Sequence, residues 1–216
     1  MTVGIVDSEG GCLNGAHCRG LDAAEPEGRE LTEYLILHGY ENRRPDGHWE
    51  RWLAAELEGS GASVRYPQLP DPDDPVLDDW IAAIEAQLVG TEPASLTVVC
   101  HSLACAAWLV FAARRAAAGR TDAAAHRVLL VAPVSDPVLR GIPQIAGFAL
   151  GGDPVHAAAE HVIVVAGDTD PYCPEGAEPA FVEPLGAEHV IVQGGGHLTI
   201  EDGFGPFPLV LELATR

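Results

Sequence analysis

The chain has 216 residues, and its 12 basic against 32 acidic side chains give a formal charge of −20. That balance excludes nucleic acid and anionic membrane as partners, since both are polyanions that repel such a surface. With 47% hydrophobic residues the composition is globular, and no apolar run approaches the ~20 residues that span a bilayer. The N-terminus, MTVGIVDSEGG, lacks the basic flank and apolar centre of a secretory signal, so a cytoplasmic location is expected. All twelve basic residues are Arg. Without Lys there is no P-loop, no pyridoxal Schiff base and no Ser–Lys hydrolase chemistry.

Residues 1–30 are rich in Gly, Asp and Glu without sustained periodicity and read as a poorly ordered extension, with a short strand possible near Val3–Val6. Cys12, His17 and Cys18 are the nearest approach to a metal cluster, but no second ligand pair follows, so no metal and no cofactor are expected. From residue 31 onward a single domain is predicted. Tyr34–Leu37 reads as a buried strand stopped by Gly39, and Trp49, Trp52, Leu53 and Leu57 follow at helical spacing. Val64 and Tyr66 mark a short strand, and the acidic turn DPDDP leads to a helix with Leu77, Trp80, Ile81, Ile84 and Leu88 on one face. That turn lacks the Gly and distal Glu of a calcium loop and reads as a solvated acidic stretch.

The strand Leu96–Val99, a sharp turn and an Ala-rich helix from Leu103 to Ala118 come next. They precede a strand at Val128–Val131, an irregular stretch over 133–156, and a strand at Val162–Val165. A helix near Glu178–Leu185, a strand at Val190–Val192 and a last helix near Pro208–Ala214 complete the pattern. Strands alternating with helices, several continuously apolar, predict an α/β fold: a three-layer αβα sandwich around a mostly parallel sheet of about six strands. Ligands in such folds sit at the carboxyl ends of the strands. His38, Ser102, Asp170 and His197 all fall there.

Residues 100–104 read Cys-His-Ser-Leu-Ala between a strand and a helix. A nucleophile elbow places serine on a strained turn, with small residues two positions to either side. Cys100 and Ala104 replace the usual glycines, and a serine at a helix start is by itself more often an N-cap. Two further segments change that balance. Gly167-Asp168-Thr169-Asp170-Pro171 sets two acids past a late strand. Asp170 is the better candidate to orient a catalytic histidine, while Asp168 is assigned to shaping the loop. Gly194-Gly195-Gly196-His197 follows the last strand, and its glycines let the loop return toward the elbow with His197 as general base. The chain order Ser…Asp…His is that of α/β-hydrolases.

An oxyanion hole is expected from the backbone N–H groups of Leu103 and Tyr40. Gly39, Asn42, Trp49 and His101 are expected to line the substrate pocket, with His38 and His101 as hydrogen-bonded scaffold. His17, His126, His156, His161 and His189 are given no role.

The segments LHGYENRRPDGHWERWLAAEL, YPQLPDPDDP, HSLACAAW, GDTDPYCP and GGGHLTIEDGFGPFP together resemble the retinoblastoma-binding protein 9 family of small serine hydrolases, over about Leu31 to Leu213. The resemblance implies an α/β-hydrolase fold with little or no cap and a triad of Ser102, Asp170 and His197, the chain departing from the family at Cys100. The retinoblastoma-protein partner is not carried over, because Leu103-Ala104-Cys105-Ala106-Ala107 lacks the Glu of L-x-C-x-E. The sequence therefore predicts cleavage of a small carboxylic ester, thioester or amide through an acyl-enzyme on Ser102. A biosynthetic thioesterase or acyltransferase, or a catalytically silent binding protein, are the alternatives on the same fold.

Overall fold

The computed structural model describes residues 32–152, 154 and 156–216. The expectations for the N-terminal extension, the Val3–Val6 strand and the Cys12–His17–Cys18 cluster lie outside the described residues.

Six strands form one sheet: β1 (Glu33–Leu37), β2 (Ser63–Arg65), β3 (Leu96–His101), β4 (Ala125–Val131), β5 (Ala159–Gly167) and β6 (Glu188–Val192). Their order is β2-β1-β3-β4-β5-β6, and every adjacent pair is parallel. Parallel strands need crossover connections, and helices α1 (Trp49–Gly59), α2 (Leu77–Leu88), α3 (Leu103–Ala117) and α6 (Pro208–Thr215) supply the cover. Successive strand residues point to opposite faces, so the sheet builds two cores. Ile36, Val99, Leu129 and Val165 pack with Leu53 and Leu57 of α1 and Val210 and Leu213 of α6. Leu35, Val98, Cys100, Leu130 and Val164 pack on the other face with Trp80 and Ile84 of α2 and with α3. Helix α3 is so deep that ten of its fifteen residues are buried, which is why it is mostly Ala and Leu rather than amphipathic. No helix among the described residues is long and apolar enough to cross a membrane.

The structure corrects one expectation of regularity. The stretch over 133–156 contains a helix, α4 (Asp136–Gly141), and a single 3-10 turn, Ala146–Phe148. Pro137 in the first turn of α4 presets its backbone, and the Asp136 carboxylate accepts from the N–H groups of Leu150 and Gly151 while pairing with Arg140. Phe148 then anchors the segment edge-on against Trp80, at 5.3 Å between ring centroids. The helix predicted near Glu178–Leu185 is present with a widened, π-helical start (Glu178–Val182) that continues as α5 (Glu183–Leu185), and Gly186 ends it in the left-handed conformation.

Candidate active site

The site is built at the carboxyl ends of β1, β3, β5 and β6. At the end of β3 the backbone turns through Ser102, with φ 54° and ψ −121°, and its N–H donates to the Val131 carbonyl at 3.0 Å. A non-glycine residue in that region is strained and is held there by its surroundings. Small neighbours make the turn possible. Cys100 and Ala104 are both fully buried, and a Cβ on Gly39 would lie 2.8 Å from Ser102 Cβ and 3.3 Å from its Oγ. Position 39 is therefore glycine because the β1 loop passes against the serine itself. The Ser102 hydroxyl makes no capping bond to α3, so the N-cap reading fails.

Opposite the elbow, three consecutive residues after β5 each tie down the loop after β6. Asp168 Oδ1 accepts from the Gly194 N–H at 2.6 Å, and Thr169 Oγ1 from the Gly196 N–H at 3.2 Å. Asp170 receives His197 Nδ1 at 2.8 and 3.0 Å on its two oxygens, and its Oδ1 also accepts from the Tyr172 N–H. The assignment of Asp168 to the loop and Asp170 to the histidine matches this geometry. Close packing of the two loops requires Gly167, where a Cβ would sit 2.1 Å from the Gly196 carbonyl oxygen.

His197 Nε2 lies 2.8 Å from Ser102 Oγ. A carboxylate only accepts, so Nδ1 carries the ring proton and Nε2 is left to accept from the serine hydroxyl. The histidine backbone is fixed from three sides. Its N–H donates to Asp202 Oδ2 at 2.9 Å, its carbonyl accepts from His101 Nε2 at 3.3 Å, and the next carbonyl, Leu198, accepts from Trp49 Nε1 at 3.0 Å. Ser102, Asp170 and His197 are each at most 9% exposed. Ser102 and His197 line a cavity of about 610 Å³.

Gly39, Asn42 and His101, and the two residues considered for the oxyanion hole, Tyr40 and Leu103, line that cavity. Leu103 opens α3, so its N–H is among those that helix geometry leaves without an intrahelical acceptor. Trp49 does not line it. The indole is fully buried on the far side of His101, packing edge-on to that ring at 5.3 Å and to Phe207 at 6.0 Å. Its place is beneath the site, because its helical phase matches Leu53 and Leu57, which face the core. The cavity gains instead Val134, Ile142 and Ile145, together with Tyr172, whose ring stands 4.4 Å from that of His197. Tyr172 was readable in the Asp170-Pro171-Tyr172 run. The other three come from the segment that carried no readable pattern.

His38 is scaffold, as expected. Its Nδ1 donates to the Gly39 carbonyl at 2.9 Å, its Nε2 accepts from the Leu69 N–H at 2.8 Å, and burial lowers its pKa to about 4. His101 is likewise kept neutral by burial. His48 and Glu50 were missed. His48 caps α1 by accepting the Glu50 N–H at 3.3 Å, and burial lowers its pKa to about 4. Glu50 is fully buried and accepts from Asn42 Nδ2 and Tyr66 Oη, both at 2.9 Å; burial pushes its pKa up to about 8. A Glu in a first helical turn reads as a solvated dipole partner, and nothing local marks this one as interior. Burial also pushes the Cys100 and Cys105 thiols up, and that of Cys173 to about 12, so none is poised as a nucleophile.

A parallel sheet covered on both faces, with a strained serine at the end of its central strand, defines an α/β-hydrolase fold. Solved structures agree. The ydeN gene product of Bacillus subtilis superposes with a TM-score of 0.71 at 25% identity over 86% of this chain and 97% of that one. Est1E from Butyrivibrio proteoclasticus has the same fold, with a TM-score of 0.62 at 16% identity over 87% of both chains. By sequence the chain is 25% identical to YdeN of Bacillus subtilis strain 168 over 185 residues, 85% of this chain and 94% of the relative. The serine hydrolase family model matches residues 34–216, and the chain belongs to that family. This is consistent with the family resemblance drawn from the motifs.

Proposed function

We propose that the protein hydrolyses a small carboxylic ester, thioester or amide through an acyl-enzyme on Ser102. The observation that carries this reading is the continuous chain Ser102 Oγ–His197 Nε2, 2.8 Å, and His197 Nδ1–Asp170, 2.8 Å, opening on the cavity. His197 removes the hydroxyl proton as Oγ attacks the acyl carbon. Asp170 holds the ring in the required tautomer and stabilises the imidazolium that forms. The developing oxyanion is received by the N–H groups of Leu103 and Tyr40, the first at the positive end of α3. His197 then returns its proton to the leaving group, and a water activated in the same way releases the acid and restores Ser102. The apolar wall of Val134, Ile142 and Ile145 accommodates the uncharged part of the substrate.

A fluorophosphonate probe tests the reading. The full chain should be labelled on Ser102, and Ser102→Ala should not be labelled. Turnover of short-chain p-nitrophenyl esters should fall ~10⁴-fold or more in Ser102→Ala and in His197→Ala, as for members of a serine triad acting as a unit. An unlabelled wild-type protein, beside a control hydrolase that reacts, sinks it and leaves a binding protein on this fold.

A further inference from the structure

Beneath the triad, two buried polar atoms have no hydrogen-bond partner among the described residues: Glu50 Oε1 in the first turn of α1 and His101 Nδ1 at the end of β3. Buried polar atoms are rarely left so. The two residues are 0% and 3% exposed, and a carboxyl oxygen of Glu50 lies within 4.8 Å of a ring nitrogen of His101. The terminal torsions of Glu and His are broad, so that separation is within their ordinary freedom to close.

The two atoms are complementary. His101 Nε2 donates to the His197 carbonyl at 3.3 Å and burial keeps the ring neutral, so Nδ1 offers a lone pair and no proton. Glu50 Oε2 accepts from Asn42 Nδ2 and Tyr66 Oη, both at 2.9 Å, which occupies its two lone pairs. The proton that this buried carboxyl retains therefore sits on Oε1. His48 Nδ1, 3.3 Å from Oε2, does not compete for it, because its single lone pair takes the Glu50 N–H. An Oε1–H donor and an Nδ1 acceptor satisfy each other. The carboxyl then reaches both halves of the candidate site. Asn42 belongs to the loop after β1 that contains Tyr40, and His101 holds the carbonyl of His197.

We propose that Glu50 is a positioning residue for the reaction on Ser102, its carboxyl tying the loop of Tyr40, through Asn42, to the backbone of His197, through His101. This inference rests on the hydrolase reading. Ionisation of Glu50 removes the Oε1 proton, so the tie to His101 is broken at alkaline pH. The other groups around the carboxyl keep their charge there. His48 and His101 are held neutral by burial, and burial pushes up the Tyr66 hydroxyl and the Cys100 and Cys105 thiols. Arg44, whose guanidinium lies 5.3 Å from the centre of the Tyr66 ring, and Arg51 remain cations.

The test is the pH dependence of kcat and KM for a short-chain p-nitrophenyl ester in the full-length protein, with thermal melts at each pH to establish that it is folded. Wild-type kcat should fall about tenfold from pH 7 to pH 9, as a carboxyl with a pKa of about 8 ionises, with KM little changed. Glu50→Gln should abolish that fall. Its amide donates where Oε1–H did, its oxygen still accepts from Asn42 and Tyr66, and alkali does not remove its protons. Glu50→Ala should lower kcat about 100-fold at neutral pH, the cost of a displacement near 1 Å, and Glu50→Gln should recover most of that loss. If Glu50→Ala does not fold, the profile of Glu50→Gln decides. Fluorophosphonate labelling of Ser102 keeps the two readings apart. In a labelled wild type, the absence of an alkaline fall, an equal fall in Glu50→Gln, or wild-type kcat in a folded Glu50→Ala overturns the positioning role and leaves the hydrolase standing. An unlabelled wild type overturns both.

Discussion

At the scale of single residues, the site depends on contacts too tight for any substituent. Gly39→Ala sets a methyl 2.8 Å from Ser102 Cβ, and the serine or the β1 loop must give way. The fold should survive, since the clash is at the surface of the cavity. Turnover should nonetheless drop about 100-fold, the effect of a displacement near 1 Å on a reacting group. Steady-state kinetics beside a thermal melt separate the two effects. The neighbouring acids make a sharper pair. Asp170→Asn should lower kcat by ~10⁴-fold, because an amide facing Nδ1 favours the wrong tautomer. Asp168→Asn should cost far less, since Asp168 bonds only the Gly194 N–H. Equal losses in the two variants would contradict the assignment of the orienting role to Asp170.

At the scale of elements, α1 supports the loop that carries His197 from below. Trp49 and His101 hold two consecutive carbonyls, those of Leu198 and His197, and Leu198 itself adopts a positive φ of 56°. Trp49→Phe keeps the packing but leaves the buried Leu198 carbonyl without its donor, which should destabilise the fold by about 1–3 kcal/mol. Urea unfolding measures that cost. The same helix gives a pH signature through Glu50. Its folded pKa, about 8, lies above the ordinary 4.5, so between these values the folded chain holds a proton that the unfolded chain has released. Stability from this group is whole below pH 4.5 and is lost as pH rises through about 8. His38 and His48, lowered to about 4, work in the opposite sense: their contribution is present above the ordinary 6.5 and is lost as pH falls through about 4. Stability should therefore rise from pH 5 to about 6.5, where the two histidines outweigh Glu50, and decline from about pH 7 to 9 in wild type. Glu50→Gln should flatten that decline, and an unchanged slope would show that Glu50 is ionised throughout.

At the scale of the whole molecule, the charge of −20 meets the cavity at Glu41, Glu201 and Asp202, all of which line it. No Arg does so among the described residues. Anionic acyl carriers are then repelled on approach, while neutral and cationic esters are not. The kcat/KM for an acyl-coenzyme A, relative to a neutral ester of the same chain length, should rise about tenfold between low and high ionic strength, as salt screens the exposed carboxylates. A ratio insensitive to salt would remove charge as a selector between substrate classes.

Much of this was legible in the sequence, and the boundary falls along the range of the interactions. Strand and helix periods, the small residues around Ser102, the acids after β5 and the glycines before His197 are local patterns, and each has its meaning within about ten residues of chain. From them came the parallel sheet, its cover of helices and the three polar side chains at its carboxyl edge. Trp49 was misplaced, and His48 and Glu50 overlooked, because inside and beneath are relations between distant segments: Trp49 meets Leu198 across 149 residues, and Glu50 is buried by Asn42, Tyr66 and the sheet rather than by its own helix. The wall supplied by 133–156 was unreadable for the same reason, since α4 is held by Asp136 reaching to Leu150 and by Phe148 packing on Trp80. Local chemistry singled out the three candidate side chains; only the packing of remote segments decided what surrounds them.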